Sequence, residues 1–530
     1  MRQGVGSVSS GVPQSRSAGN ARATLRCHAL SVTAHDTPDR LVALGRAIAR
    51  PPVVAGVEQN SPMAGLERRT VGFVDVLAQS IGAVAPAAGT ATVPALIAVQ
   101  AGSGVLIAVA AAWLLAICVA ATLNQFALRI AAPGSLYTFT TKGLGAGPGF
   151  AAASGLLVGY GFIAMFGVVG AAYFLQNFLS ALTGAWAAGP WVTVALLVGV
   201  GAVCFGVLRR GIRLSSRVTL VIELASLVVI LALLAIVLSR LDAAQLAAPF
   251  TARPPAFGGL VAGTAVALTA FVGFESAASL GREAARPFLT VPRTIRWTVL
   301  GVGAVYLLSA YTQLAGAGAF GIGFDGGQAV ARLASDTDAA AVGTLLDLGL
   351  AASFTACAIA SLTALARAVF TLGREGVLPR AVGRIEPLRK TPYRALAVVI
   401  PITVAVPLAL HAVGWSPWQS LEFLIVVSAA GYITAYVLAT VALPAFLRRI
   451  GESSLRTDLV AGIAAVGLTG VLITYLVVMV PGEPVAVAVV GGLAVLAALA
   501  YLYLRTARSR ALARAGLFDH TTSSDLLGGS

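Results

Sequence analysis

Long apolar stretches recur along the chain, separated by short connections rich in arginine. A run of about 18 or more apolar residues is long enough to cross the hydrocarbon core of a bilayer as a helix. Read in order, the pattern predicts about twelve membrane helices, over 71–93, 104–127, 148–180, 190–208, 217–239, 258–281, 297–317, 341–371, 396–413, 420–447, 457–480 and 485–504. The third and eighth runs exceed the bilayer thickness and predict tilt or extension beyond it. The fold class expected is an all-α polytopic membrane protein.

Two of these runs are irregular. The sixth carries an acid, Ala270-Phe271-Val272-Gly273-Phe274-Glu275-Ser276-Ala277-Ala278, with Gly273 two residues before it. It exits into a basic, proline-closed loop, Arg282-Glu283-Ala284-Ala285-Arg286-Pro287, followed by Val291-Pro292-Arg293. A glutamate in hydrocarbon costs several kcal/mol unless something uses it. The first run holds Ala85-Pro86-Ala87-Ala88-Gly89, with Gly82 one turn earlier. Pro86 removes a helical N–H and clashes with the preceding turn. A break there would present free N–H groups at the start of the outer half, which suits a carboxylate; the plain alternative is a proline kink. Two interrupted spans at corresponding places in two five-helix units point to an inverted repeat. Repeat one covers about 70–240 and repeat two about 257–447, with two extra helices over about 457–504, all inside a permease domain at 65–505.

Composition supports the membrane class, with 58% hydrophobic and only 11% charged residues. The net charge of +15 is a topology signal rather than a polyanion-binding one. Arginine and lysine collect in alternate connections, among them Arg209, Arg210, Arg213 and Arg217, then Arg282, Arg286, Arg293 and Arg296, then Arg374, Arg380 and Arg384. The positive-inside rule puts those connections, and with them both termini, in the cytoplasm. Residues 1–64 read as a disordered cytoplasmic tail, with Met63 as an alternative start, and 506–530 as a short polar cytoplasmic tail. Of the 36 basic residues only Lys142 and Lys390 are lysine, a bias that suggests a GC-rich genome and a bacterial inner membrane.

Other polar side chains leave alternatives open. Glu223, about two turns into the fifth span, is a second proton-linked group or an acid hydrogen-bonded near the interface. Tyr160 in the third span lines a cavity or packs in the core. Ser353, Thr355, Ser361 and Thr363 in the eighth bond back to their own helix, coordinate a cation or hold a neighbour. Asp347 and Glu422 sit near predicted outer ends and are assigned no role. The cysteines (Cys27, Cys118, Cys204, Cys357) form no CxxC pair and the four histidines have no ligand spacing, so no metal or cofactor is indicated.

Three motifs in order resemble the amino acid–polyamine–organocation superfamily. They are Phe271-Val272-Gly273-Phe274-Glu275 with Glu283-Ala284, Pro287 and Val291-Pro292-Arg293; Pro133-Gly134-Ser135-Leu136-Tyr137 after the second span; and Arg367 with Arg374-Glu375-Gly376-Val377-Leu378-Pro379 after the eighth. The resemblance covers about 65–505. It implies a LeuT-type five-plus-five inverted repeat, alternating access, and a substrate held between unwound parts of the first and sixth helices. Family members often have Gly-Ser-Gly in the first helix, where this chain has Ala87-Ala88-Gly89. The fifth-helix lysine of some members falls near Ser226, and this span has none.

The function expected is secondary transport of an amino acid across the plasma membrane. The N–H groups of Ala87, Ala88 and Gly89 would take the carboxylate, and carbonyls near Ala85 and over Phe271, Val272 and Gly273 the ammonium. Phe271 or Phe274 would cover the substrate. Glu275 would fix the broken helix or titrate during the cycle, which leaves proton coupling open, with Glu223 and Tyr160 as further coupling or gating positions. No Lys, Arg or His lies near a span centre, so a neutral side chain fits best; a cationic amino acid, polyamine or other amine is the alternative. No paired metal ligands and no nucleophile with a base point to an enzyme. A non-transporting nutrient sensor would share the fold but usually has a larger cytoplasmic module.

Overall fold

The computed structural model describes residues 66–251, 256–322, 340–386, 390–482 and 484–519, and the isolated positions Val42, Ser61, Met63, Arg332 and Leu333. The tail expected over 1–64 lies outside the described residues except at Val42, Ser61 and Met63, and 520–530 lies wholly outside them. The described bundle belongs to a compact unit, Pro62–His520.

Among the described residues, regular structure is helical apart from isolated bridge positions, among them Val71 paired with Ala284. Eleven helical stretches among the described residues are long and apolar enough to cross a membrane. The first of them, Phe73–Ala127, has 55 residues, about 80 Å at 1.5 Å per residue, too long for one crossing. It is divided into α1 (Phe73–Val84), α2 (Pro86–Ala101) and α3 (Val105–Ala127), with the chain turning back at Gly102 (φ 53). It therefore supplies two of the twelve expected spans. The others are α5 (Ala146–Thr183), α6 (Pro190–Arg209), α7 (Ile212–Ser239), α9 (Phe257–Thr269) with the 3-10 turns of Phe274–Leu280, α10 (Pro287–Phe320), α11 (Ala340–Glu375), α12 (Tyr393–Ala412), α13 (Pro417–Arg449), α14 (Leu455–Gly482) and α15 (Pro484–Ala507). Short helices α4 (Leu136–Leu144), α8 (Ala243–Thr251) and α16 (Ser509–Ala513) lie in connections or at the end.

Several expected boundaries move, two of them at prolines and for one physical reason. In an apolar medium a helix that continues through a proline loses one hydrogen bond, whereas one that stops exposes several polar groups. The first span thus continues past its expected end at 93, through Pro94 to Ala101. The seventh does not wait for 297. Pro287 stands at its first turn, where no N–H is needed, and Pro292 lies inside it, so Val291-Pro292-Arg293 is helix rather than loop. The fifth begins at Ile212 instead of 217, which places Glu223 about three turns in.

The long α5 packs along α11 and α13, and the α1–α2 pair sits among α7, α9, α10 and α11. At the arginine-rich end, Arg367 of α11 pairs with Glu283 at 2.6 Å, both nearly inaccessible to solvent. The chain after α16 folds back over this end. Asp519 accepts from Arg68 (2.8 Å) and Arg282 (2.6 Å), and the Leu517 N–H donates to Glu375 Oε1 at 2.8 Å. Burial pushes the Arg282 guanidinium below its usual range, and the Asp519 carboxylate opposes that. This stretch, read from sequence as the start of a short polar tail, therefore packs on the bundle.

Two substitutions check this architecture. Arg367→Met leaves a buried, unpaired Glu283 and is expected to cost about 3–5 kcal/mol, most of it regained in Arg367→Met with Glu283→Leu; thermal unfolding of the purified variants measures both. Gly273 has φ 110, and a Cβ there would lie 2.8 Å from the Ala83 backbone. Gly273→Ala is expected to lower stability by at least about 2 kcal/mol. Gly199→Ala, where a Cβ meets nothing within 4 Å, should be neutral or stabilising by up to about 1 kcal/mol.

Candidate substrate site at two facing helix breaks

The break in the first span is a single residue. Ala85 adopts a left-handed conformation (φ 50, ψ 64) between α1 and α2, and Pro86 opens α2 without an N–H to satisfy. A left-handed alanine costs about 1–2 kcal/mol, so its surroundings must hold it there. The break in the sixth span is wider. The α-helix stops at Thr269, turns lead to Gly273, and 3-10 geometry follows from Phe274. The two breaks touch, since Gly273 lies against Ala83 too closely to admit a side chain.

Each break is held by an acid. At the sixth span, Glu275 is fully buried and accepts from the Tyr160 hydroxyl at 2.8 Å and the Gly273 N–H at 3.0 Å. The Tyr436 hydroxyl donates to the same carboxylate. Tyr160 and Tyr436 come from α5 and α13, so Glu275 ties the unwound segment to both. At the first span, the Ala87 N–H donates to Glu223 Oε1 at 2.8 Å, and the Ala88 N–H to Ser353 Oγ at 3.1 Å. The Gly89 N–H returns to Ala85 O at 3.0 Å. The three amides expected to be free are thus all occupied in this conformation, two of them by side chains from α7 and α11. Of the expected ammonium-binding carbonyls, Ala85 O takes the Gly89 N–H and Gly273 O the Ser276 N–H, both at 3.0 Å.

The surrounding side chains close the space. Phe271 meets Tyr306 edge-on, with ring centroids 5.4 Å apart, and Phe274 stacks on Tyr436 at 5.6 Å. The Tyr306 hydroxyl donates to Ala270 O at 3.1 Å and lies over Gly89, where a Cβ would come within 2.3 Å of it. Ala85, Pro86, Ala87, Ala88, Phe271, Val272, Gly273 and Phe274 are buried, and Gly89 is half-buried. A separate cavity of about 300 Å³ lies between α5, α13 and α15, away from the breaks. Its polar lining is limited to Ser154, Thr434 and Tyr501, so it is a poor site for a zwitterion.

Sequence reading marked the residues on the broken spans. It did not find Tyr306 and Tyr436, which reach the breaks from distant helices, and it left Ser353 among several hydroxyls of the eighth span. Glu223 lies buried against α2, about three turns into a helix that starts earlier than expected. Arg367 and Glu283, noted as separate motif residues, form one ion pair.

The profile of the amino acid permease family matches residues 71–500. The chain belongs to the amino acid permease family. The permease is 26% identical to the branched-chain amino acid permease BcaP of Bacillus subtilis, over 62% of its own length and 72% of that relative's. It is 28% identical to an uncharacterised transporter of Mycobacterium tuberculosis, over 68% of its length and 80% of the relative's. It also matches the cationic amino acid transporter 4 of mouse, 26% identical over 55% of the permease and 47% of the relative. Its fold is similar to that of MhsT, solved with L-phenylalanine, at a TM-score of 0.56 and 14% identity, over 75% of the permease and 98% of the other chain. The LeuT-type arrangement expected from the sequence is thus the observed fold class.

The tyrosines around Glu275 give an internally controlled prediction. Tyr436→Phe removes a hydrogen bond to a buried acid and is expected to cost about 1.5–3 kcal/mol. Tyr432→Phe, one turn earlier, removes a buried hydroxyl that makes no hydrogen bond and should cost nothing or stabilise slightly. Thermal unfolding of the two variants side by side reads the difference.

Proposed function

We propose that this permease moves a neutral amino acid across the plasma membrane by alternating access, with its site at the facing breaks of the first and sixth spans. The observation behind this reading is the helix start at Ala87–Ala88, placed mid-span and pointing its amides at one acid and one serine hydroxyl rather than solvent. Such a start suits an anion. The Gly273 break packs against the end of α1 at Ala83, and the carbonyl side of such a break suits an ammonium. The aromatic wall of Phe271, Phe274 and Tyr306 suits an uncharged side chain. The name of the B. subtilis relative supports the same substrate class.

Glu275 acts in this reading chiefly as the anchor of the sixth span, because three donors from separate segments converge on it. The arginine-rich connections and both ends of the chain face the cytoplasm, following the positive-inside rule.

Uptake of a labelled amino-acid panel into proteoliposomes, with and without an inward proton gradient, tests the proposal. A neutral amino acid should accumulate. If Glu275 only anchors, Glu275→Gln keeps gradient dependence and loses stability. A variant that still binds but no longer concentrates substrate would place Glu275 in the coupling path instead. Uptake of amines alone would overturn the amino-acid assignment.

A further inference from the structure

Glu223 stands where the substrate carboxylate is expected. It is 1% exposed, and Oε1 receives the Ala87 N–H at 2.8 Å, the first N–H that α2 can donate. Its second oxygen, Oε2, is buried and accepts no hydrogen bond. Ser353, which takes the next amide of α2, also turns its hydroxyl to the Glu223 carboxylate. The ionisable groups acting on it are the buried Tyr306 hydroxyl of α10 and Cys357 thiol of α11. Neither α2 nor α9 has an ionisable side chain, and Asp75 at the start of α1 pairs with Arg217 at 3.7 Å. No cation among these groups offsets a charge on Glu223. A buried carboxylate without one is costly, and two carboxylates cannot share one N–H.

We propose that Glu223 is a tethered carboxylate occupying the substrate-carboxylate position at the start of α2, and that a zwitterionic amino acid binds only when Glu223 takes up a proton and releases the Ala87 amide. The unpartnered Oε2 is the atom that receives the proton. The substrate carboxylate then accepts the Ala87 N–H, and the neutral acid no longer repels it. One proton enters with one substrate, so the residue that makes room for the amino acid also couples its binding to pH. This inference rests on the amino-acid reading given above.

Equilibrium binding of labelled L-leucine, L-isoleucine, L-valine and L-phenylalanine to the purified full-length protein, from pH 5 to pH 8, tests it. Isopentylamine, which is leucine without its carboxyl group, serves as the carboxylate-free probe. In the wild type the apparent Kd for the amino acid that binds should rise about tenfold per pH unit above the titration of Glu223, the slope of a one-proton linkage. Glu223→Gln retains an oxygen for Ala87 and so should fold; Glu223→Ala removes the competitor. Both should bind that amino acid independently of pH, and more tightly than the wild type at pH 8. Equal amino-acid binding by wild type and variants at every pH overturns this inference and leaves the transport reading standing. Tighter binding of isopentylamine than of any amino acid, lost in Glu223→Gln, makes Glu223 the counter-ion of an amine and overturns it as well. No amino-acid binding to any of the proteins overturns both readings.

Discussion

The backbone at the two helix breaks cannot be left unsatisfied. In a medium without water, each orphaned N–H or carbonyl costs several kcal/mol, so irregular backbone survives there only where the protein supplies partners. This chain supplies them with acids and hydroxyls from other helices. Glu275 holds the Gly273 break through Tyr160 and Tyr436, and Glu223 with Ser353 holds the Ala85 break. The rest of the bundle follows, because α5, α7, α11 and α13 must lie where those side chains can reach.

Occupied amides and a transport site are compatible. A site that must open and close needs its polar groups satisfied both with and without substrate, or the empty state would be too costly to cross. Partners drawn from the protein's own side chains meet that need when the substrate is absent. They must also be exchangeable, and an acid whose charge can be removed by a proton is suited to this. Glu275 and Glu223 differ on that point. Glu275 receives three donors and is built into its segment; Glu223 holds one backbone amide beside the Ser353 hydroxyl, and its Oε2 is left without a hydrogen bond.

The arginine-rich end shows a second kind of closure. The Arg367–Glu283 pair fixes the eighth span to the exit of the sixth, and Asp519 gathers Arg68 and Arg282. These pairs are buried and would have to rearrange if the exit of the sixth span moves relative to the eighth, as alternating access requires. Lone buried pairs give little net stability for their desolvation, which suits contacts that form in one state and separate in another.

Hydrophobic runs alone determined the class, the approximate number of spans and the two irregular segments, because a bilayer admits few backbone solutions and a proline or a buried acid is conspicuous within them. The motif residues around Glu275, Glu283 and Arg367 were legible for the same reason. Which groups meet was decided only by tertiary structure. Tyr436 lies 161 positions from Glu275, and Glu223 lies 136 from Ala87, so no local spacing signals either contact. The helix starts at Ile212 and Pro287 were also hidden. A proline or an arginine reads as loop in sequence, yet packing against neighbours outweighs its small local cost, and the earlier start of the fifth span sets Glu223 deeper in its helix, against the start of α2.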